Sequence, residues 1–296
     1  MSYAPRVNIL FEMLYSFTTL ARTLNLSKAV RILNSTRQTV RRHIDTLEEF
    51  RGEKLFEIVD RQYSLTPAGL QSLEEAEKLL AQGNAWLAGH ISTFNKLDNV
   101  NLVDEDADLC YYSQQHHISQ LWIDKSPLLQ FGLRCWASSN TSIESPGLAP
   151  IRPYLMICRR QNGRWVYTEI GEKSSYASWF GWVWAKSCVG CPITDTPDGM
   201  DLVYFSQAYS EAYAGSGVRL DHIYTEIPRE KDGPRSVACY QRLVLGCSFP
   251  NGEFALAVLV DRTHNISING LPDQREKMMP ESLLMSFTPP LVETSD

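Results

Sequence analysis

The first 65 residues place three short helical periodicities ahead of two strand-like runs, and few small folds have that order. Apolar residues recur at steps of three and four from Leu10 to Leu24, which predicts a helix with one buried stripe. A second short helix is predicted around Ala29 to Leu33. Asn34-Ser35-Thr36 then supplies a turn and a cap for a third helix. The segment is therefore predicted to be a helix-turn-helix.

The third helix has a basic outer side that is rich in hydrogen-bonding groups. Val40, Ile44 and Leu47 lie at i, i+4 and i+7 and are expected to face inward. The B-DNA major groove accepts such a helix, because arginine can bind guanine and glutamine can bind adenine through paired hydrogen bonds. The alternative is a charged helix that is merely solvated. The side chains predicted to contact DNA here are Thr36, Arg37, Gln38, Thr39, Arg41, Arg42 and His43.

The next segment predicts a wing. Phe56–Val59 and Gln62–Leu65 have strand character and flank the turn Asp60-Arg61. Arg61 in that turn is expected to contact phosphate. Thr66 then caps a new helix whose first residue is Pro67. Together these elements predict a winged helix-turn-helix.

The helix after the wing carries a leucine repeat. Leu73, Leu80 and Leu87 lie one heptad apart. A lone amphipathic helix of this length would leave an apolar stripe in water, which predicts pairing with its copy in a homodimer or higher homo-oligomer. The alternative is that the stripe packs back on its own winged helix.

Residues from about 10 to 92 resemble the N-terminal domain of LysR-type transcriptional regulators. The family has Leu-Glu at the end of the recognition helix, then Gly, then Leu-Phe, and it ends the wing with Leu-Thr-x-Ala-Gly. Here these motifs are Leu47-Glu48, Gly52, Leu55-Phe56 and Leu65-Thr66-Pro67-Ala68-Gly69. The resemblance implies a bacterial, sequence-specific regulator of transcription. It also implies a dimer through the long helix, with recognition helices in successive major grooves of double-stranded DNA.

Three positions depart from the family pattern. Arg41 stands where the family usually has a small Ser or Thr, and Arg51 where it usually has Leu. Ile58 stands where an Arg usually follows Leu-Phe. The first two changes add positive charge near the groove and the third removes it. The base preference of a relative therefore does not transfer to this chain.

Charge is distributed unevenly along the chain. The formal net charge is −6, which excludes a globally basic coat for nucleic acid. Residues 1 to 95 hold 11 Lys and Arg against 10 Asp and Glu, a net of +1, and the remaining residues hold 17 against 24, a net of −7. DNA binding must therefore come from a local patch in a separate N-terminal domain.

Cysteine usage and hydropathy predict a cytoplasmic protein. The seven cysteines are an odd number, and the start of the chain has no secretory leader, which favours reduced thiols. The longest uncharged aromatic run, Ser174 to Ala185, is far shorter than the roughly 20 residues of a membrane-spanning helix. No membrane partner is expected.

The C-terminal two thirds predict a different architecture. An acidic run at 104–108 and a Ser/Pro/Gly-rich passage at 138–150 predict a linker. A hairpin with an Asn162-Gly163 turn follows, and then a helical middle to about Gly215. The predicted strands are Tyr154–Cys158, Trp165–Ile170, Leu220–Ile227, Ser236–Leu245 and Glu253–Asp261.

This element order resembles a PAS domain over about 151 to 262. The predicted fold class is α+β: an all-α-rich winged helix-turn-helix domain with a long dimerisation helix, followed by a PAS-like antiparallel α+β domain. The alternative is the usual two-lobed, periplasmic-binding-like effector domain of LysR-type regulators. The predicted segments are a DNA-binding domain at 1–66, a dimerisation helix at 67–95, a linker at 96–150 and a PAS-like sensor domain at 151–296.

A PAS core encloses a small cavity, so the domain is expected to sense a small ligand or a partner. Tyr176, Trp179 and Trp182 lie in the helical middle and are the predicted ligand contacts, with core filling as the alternative.

No chemistry beyond binding is predicted. Cys188 and Cys191 form one Cys-x-x-Cys without a matching second pair, and Asp221-His222 has no nucleophile in a recognisable setting. His116-His117 are adjacent and point in different directions. We expect no enzyme activity, no metal and no cofactor. A competing function is a signalling or scaffold protein whose winged helix docks protein rather than DNA.

Overall fold

A computed structural model describes residues 10–59, 62–104, 109–161, 164–193, 208–230, 233–273 and 278–290. The chain divides into two compact units, Met1–Leu87 and Ala88–Asp296. No helix in these described ranges is long and apolar enough to cross a membrane.

The N-terminal unit has the predicted helix-turn-helix and wing. Its wing strands pair antiparallel, with Phe56 opposite Leu65. Its elements are α1 (Leu10–Thr23), α2 (Leu26–Ile32), α3 (Arg37–Arg51), β1 (Phe56–Val59), β2 (Gln62–Leu65) and α4 (Pro67–Leu87).

Local chemistry fixes where these helices begin and end. The backbone N–H of Thr39 donates to Thr36 Oγ1 at 3.1 Å and starts α3. Gly52, at φ 71°, ends the helix in the left-handed conformation. Thr66 Oγ1 accepts from the N–H of Gly69 at 2.9 Å and starts α4. A Cβ on Gly69 would lie 2.1 Å from the carbonyl oxygen of Leu55, so only glycine fits where α4 crosses the wing.

The core of this unit includes one side of α4. Leu80 is 6% exposed and packs with buried residues of α1 and α3, and Leu73 is half-buried against them. Arg22 on α1 pairs with Glu77 on α4, which fastens the two helices together. The prediction that Leu80 lies in an intermolecular seam is therefore wrong, because α1 covers that side of the helix.

The C-terminal unit is built on one sheet of eight strands in the order β3-β4-β5-β8-β9-β10-β6-β7. Every pairing between described strands in it is antiparallel. The strands are β3 (Ile91–Phe94), β4 (Leu97–Asp104), β5 (Leu109–His116), β6 (Met156–Gln161), β7 (Arg164–Ile170), β8 (Val218–Pro228), β9 (Arg235–Ser248) and β10 (Phe254–Arg262). The helices are α5 (Gln120–Asp124), α6 (Pro127–Ser138), α7 (Ser175–Phe180) and α8 (Trp182–Ser187).

All five strands predicted after residue 150 are present as β6 to β10, with α7 and α8 between β7 and β8. The Asn162-Gly163 turn lies outside the described residues. The two-lobed alternative is wrong, because the described part of this unit forms a single antiparallel sheet rather than two lobes of alternating strands and helices.

The predicted linker at 96–150 is also wrong. This segment contributes β4, β5, α5 and α6, and β5 pairs with β8 from the far end of the chain. The strands were not predicted because buried polar residues interrupt their apolar pattern. Asn99 and Gln114 are buried, and the side-chain amide of Asn99 donates to that of Gln114 at 3.0 Å. The C-terminal unit therefore begins at Ala88, before the predicted sensor boundary at 151.

Both faces of the sheet are covered. Alternate residues of β10 contribute to two separate cores, one under α6 and one under α7 and α8. The segment 278–290 contributes to both cores. Met279 is buried in the α7–α8 core, and Phe287 packs on Phe131 and Tyr154 in the other.

A histidine is buried in the central strand β8. His222 Nε2 lies 2.9 Å from a carboxylate oxygen of Asp124, and the ring of His116 lies 4.0 Å away, centroid to centroid. The N–H of Ser267 donates to His222 Nδ1 at 2.9 Å. Burial, reinforced by His116 and opposed by Asp124, lowers the pKa of His222 to about 4. The ring is therefore neutral at pH 7.

Because His222 is neutral in the folded state, we expect the C-terminal unit to become less stable as the pH falls. The unfolded side chain has a pKa of about 6.5, so below that pH the unfolded state binds a proton that the folded state excludes. We expect the free energy of unfolding to fall by about 2 kcal/mol from this group between pH 7 and pH 5. Urea titrations of the full chain at pH 7 and at pH 5 measure this difference in the free energy of unfolding.

Two variants isolate the contribution of His222. His222→Gln should lose this part of the pH dependence, whereas His117→Gln, at an exposed position, should keep it. An equal pH dependence in His222→Gln and the wild type would contradict the assignment.

Candidate functional site

The outer side of α3 carries three polar side chains without internal bonds. Gln38, Arg41 and Arg42 are exposed, while Val40 and Ile44 are buried beneath them. Among the hydrogen bonds and ion pairs of the described residues, none involves the side chains of these three. The helix therefore presents one amide and two guanidinium groups to solvent.

The remaining predicted contacts at the start of α3 are engaged locally. Arg37 Nη2 donates to Ser27 Oγ at 2.7 Å, which fixes the turn between α2 and α3. The hydroxyl groups of Thr36 and Thr39 lie 2.9 Å apart within the helix cap. Arg61, the predicted wing contact, lies outside the described residues.

His43 does not lie on the outer side. It is 6% exposed, and its Nδ1 lies 2.7 Å from Ser16 Oγ on α1. Burial, with the Arg42 cation nearby, lowers the pKa of His43. Its predicted DNA contact is therefore wrong, and the residue instead holds α3 against α1. Its spacing of i+3 from Val40 and i−4 from Leu47 is the sequence signal of this inward position.

Sequence reasoning missed the residue that joins α3 to the wing. Glu48 is buried, and its Oε1 accepts from the N–H groups of Leu55 at 2.9 Å and Phe56 at 3.2 Å. Its Oε2 pairs with Lys54, and this bond raises the pKa of the lysine. One carboxylate therefore binds the backbone at the start of β1 and sets the position of the wing relative to α3.

Removal of this carboxylate should destabilise the N-terminal unit. Glu48→Ala would leave two buried N–H groups without their acceptor, at a cost of about 1–3 kcal/mol each. Urea unfolding of the full chain, followed by circular dichroism at the helical band, measures the loss. Glu49→Ala, at the exposed neighbouring position, is the matched control. Equal stability of the two variants would refute this role.

The winged helix-turn-helix matches a known family. Residues 11–70 match the model described as bacterial regulatory helix-turn-helix protein, lysR family. The DNA-binding domain of CbnR, in its complex with DNA, is 30% identical over 25% of this chain and 85% of that one, with a TM-score of 0.24. The chain belongs to the LysR family of transcriptional regulators.

Two longer chains, CbnR and OxyR, are matched over a smaller share of their length than the isolated DNA-binding domain of CbnR is. CbnR, a LysR family transcriptional regulator, is 30% identical over 25% of this regulator and 26% of that chain, with a TM-score of 0.25. Oxidised OxyR of Corynebacterium glutamicum is 25% identical over 30% of this regulator and 28% of that chain, with a TM-score of 0.27. The LysR-type regulator thus spans about a quarter of these two chains. Comparison with curated sequences gave no significant match.

The C-terminal unit of this LysR-type regulator contains a cavity of about 110 Å³ between the sheet and α7. Tyr176 and Trp179 line it as predicted. Trp182 does not, because Gly181 at φ 92° breaks the helix before it and the side chain is 43% exposed. The other lining residues are Met156, Tyr167, Ser175, Phe180, Ile193, Tyr209, Ile227, Ala238, Tyr240, Arg242, Val260 and Arg262.

Other candidate chemical groups of the regulator have structural partners. Asp221 pairs with Arg219 and Arg242, not with the adjacent His222. Cys188 and Cys191 take part in no disulfide within the described residues, and Cys191 Sγ lies 3.8 Å from the carbonyl oxygen of Ser187. Within the described ranges, no group of three or more His, Cys, Asp or Glu side chains is arranged to hold a metal ion.

Proposed function

We propose that this LysR-family regulator is a cytoplasmic homodimer that reads an operator through α3 and responds to a ligand or partner through a PAS-like C-terminal unit. The observation that carries the proposal is the outer side of α3, with Gln38, Arg41 and Arg42 exposed on a helix fixed from beneath by Val40, His43 and Ile44.

The side chains on α3 have distinct expected roles. Gln38 and Arg42 are separated by one helical turn, so they reach neighbouring bases on one edge of the groove. Arg41 is placed to contact the flanking backbone. Thr36, Arg37 and Thr39, with Arg61 in the wing turn, supply further contacts to phosphate.

Exposed positions of α4 other than Leu80 support dimerisation. Trp86 and Leu87 are 69% and 73% exposed, and Leu79, one heptad before Trp86, is also exposed. Large apolar side chains grouped on one helix favour burial against a second copy. We therefore propose that these three residues, rather than Leu80, form the seam. Two copies would then bind half-sites about one helical turn apart.

Strand order supports a PAS-like sensor. Five strands of the sheet run β8-β9-β10-β6-β7, and the helices α7 and α8 connect β7 to β8. A cavity lies between that part of the sheet and α7. A ligand in this cavity would contact both the sheet and the helix, so its binding would favour one arrangement of the two.

Selection from fragmented genomic DNA tests the DNA function. The full chain should enrich fragments that share a partly palindromic motif, and affinity for them should fall steeply as salt rises. The double variant Gln38→Ala/Arg42→Ala should lose this enrichment. A chain that enriches no motif, or that binds DNA without salt dependence, would favour the competing function of docking to a protein.

A further inference from the structure

An arginine in the wall of the cavity has no carboxylate among its described hydrogen-bond and ion-pair partners. Arg262 is buried, and its Nε donates to the carbonyl of Leu283 at 2.7 Å. Its Nη1 donates to Ser175 and to Ser178 Oγ. All of these acceptors are uncharged. Among the described ion pairs none includes Arg262, and no described hydrogen bond uses its Nη2.

The second arginine in the wall, Arg242, has a carboxylate partner that balances its charge. Arg242 forms an ion pair with Asp221 at 2.9 Å, directly across from it on β8. Among the lining residues that the structure describes there is no aspartate or glutamate. Of the two described arginines in the wall, Arg262 is therefore the one without an ion pair.

Trp179 lies close to two cations at this cavity. The guanidinium carbons of Arg262 and Arg229 lie 5.6 and 5.8 Å from the centre of its indole ring. Burial, together with the Arg229 cation and opposed by the Asp261 carboxylate, lowers the pKa of Arg262 to about 10. A buried cation whose charged form is disfavoured in this way would be stabilised by an anion at close range.

The remaining wall suits a ring. Tyr167, Tyr176, Phe180 and Trp179 supply aromatic surface to the wall of the cavity. A volume of about 110 Å³ is of the order of the ~150 Å³ apolar cavity that holds benzene in an engineered protein. The space is therefore of the size of one small ring, and it limits a ligand to a single ring.

We propose that the cavity binds a small monocyclic carboxylate, with its ring against Trp179 and Tyr176 and its carboxylate at Arg262. This inference rests on the proposed sensor function, and it names the chemical class of the ligand. Nη2 of Arg262 has no acceptor among the described hydrogen bonds, so it can donate a charge-assisted hydrogen bond to a carboxylate oxygen.

Titration of the full chain with matched probes tests the charge requirement. The carboxylates are phenylacetate and cyclohexanecarboxylate, and the controls are the corresponding uncharged amides. Tryptophan fluorescence reports contact with Trp179, and calorimetry gives the dissociation constant. We expect saturable binding of at least one carboxylate, with its amide about 10- to 100-fold weaker, as for loss of a charge-assisted hydrogen bond.

Substitutions test the assignment to Arg262. Arg262→Gln should weaken carboxylate binding by at least about 10-fold and reduce the preference over the amide. Arg262→Lys keeps the charge, so it should retain a preference for the carboxylate even where the loss of a bond to Leu283 or Ser175 lowers stability. Arg134→Gln removes an exposed positive charge on α6 and should leave binding unchanged. Thermal unfolding of each variant confirms that it is folded.

The outcomes separate this inference from the proposed function. Amides that bind as tightly as carboxylates, or an unchanged preference in folded Arg262→Gln, would overturn the carboxylate assignment and leave a ligand cavity in place. No binding of any probe would overturn both the carboxylate assignment and the cavity's sensor role. Operator binding, measured separately in the DNA selection, would stand in either case.

Discussion

Alanine at Gln38 or at Arg42 is expected to weaken binding to the selected operator by about 5- to 150-fold, which corresponds to about 1–3 kcal/mol. Each side chain is exposed on α3 and, within the described residues, makes no bond to the rest of the protein. Its removal therefore takes away contacts to DNA at little cost in stability. Sequence preference should relax at one base pair for each substitution. Gel-shift titrations against a set of single-base operator variants measure both effects.

Two further variants separate reading of bases from general attraction to DNA. Arg22→Ala removes an exposed charge on α1, where the arginine pairs with Glu77, and should leave sequence preference unchanged. Arg61→Ala should lower the affinity for all DNA sequences by the same factor and reduce the salt dependence of that affinity. If Gln38→Ala and Arg42→Ala both kept wild-type affinity and preference, α3 would not be the reading helix.

Leu80→Glu is expected to unfold the N-terminal unit. Leu80 packs among buried residues of α1 and α3, including Phe17 and Leu47. Truncation of such a leucine to alanine costs about 2–5 kcal/mol, and a buried carboxylate without a partner costs more. Circular dichroism should show loss of helix, and operator binding should disappear with it. A folded Leu80→Glu chain that sediments as a monomer would instead place Leu80 in an intermolecular seam.

Trp86→Glu is the matched test of the proposed seam. Trp86 is exposed in the single chain, so its replacement should leave the N-terminal unit folded and convert dimers to monomers. Sedimentation velocity measures the mass, and operator binding should weaken because one half-site is lost. Unchanged dimers in this variant would move the interface away from Leu79, Trp86 and Leu87.

Elements governed by local chemistry could be predicted from the sequence. The α3 cap at Thr36 and the wing of β1 and β2 lie where residue type and spacing place them. The five strands β6 to β10 were also predictable, because each contains a stretch rich in β-branched, aromatic or other apolar residues. In these segments local preference and tertiary packing agree.

Features that depend on distant contacts could not be predicted. The heptad pattern indicates that Leu80 is buried. It does not indicate whether Leu80 packs against α1 of the same chain or against a second copy. In β4 and β5, Asn99 and Gln114 satisfy each other inside the sheet, so the strands lack the alternation that identifies a half-buried strand. Arg262 is held in the cavity wall by hydrogen bonds to Ser175 and Leu283. Both residues are distant in sequence, so no spacing pattern connects them to Arg262.

The late position of the segment 278–290 bears on how the protein is synthesised. This segment supplies Met279 to one face of the sheet and Phe287 to the other, so both cores lack side chains until it has been made. The winged helix-turn-helix is complete by Leu87. At roughly 5–20 residues per second, the intervening chain takes on the order of 10–40 s to emerge. For that interval a finished DNA-binding unit would coexist with a sheet whose two cores are incomplete, so apolar side chains on both of its faces would stay in contact with water.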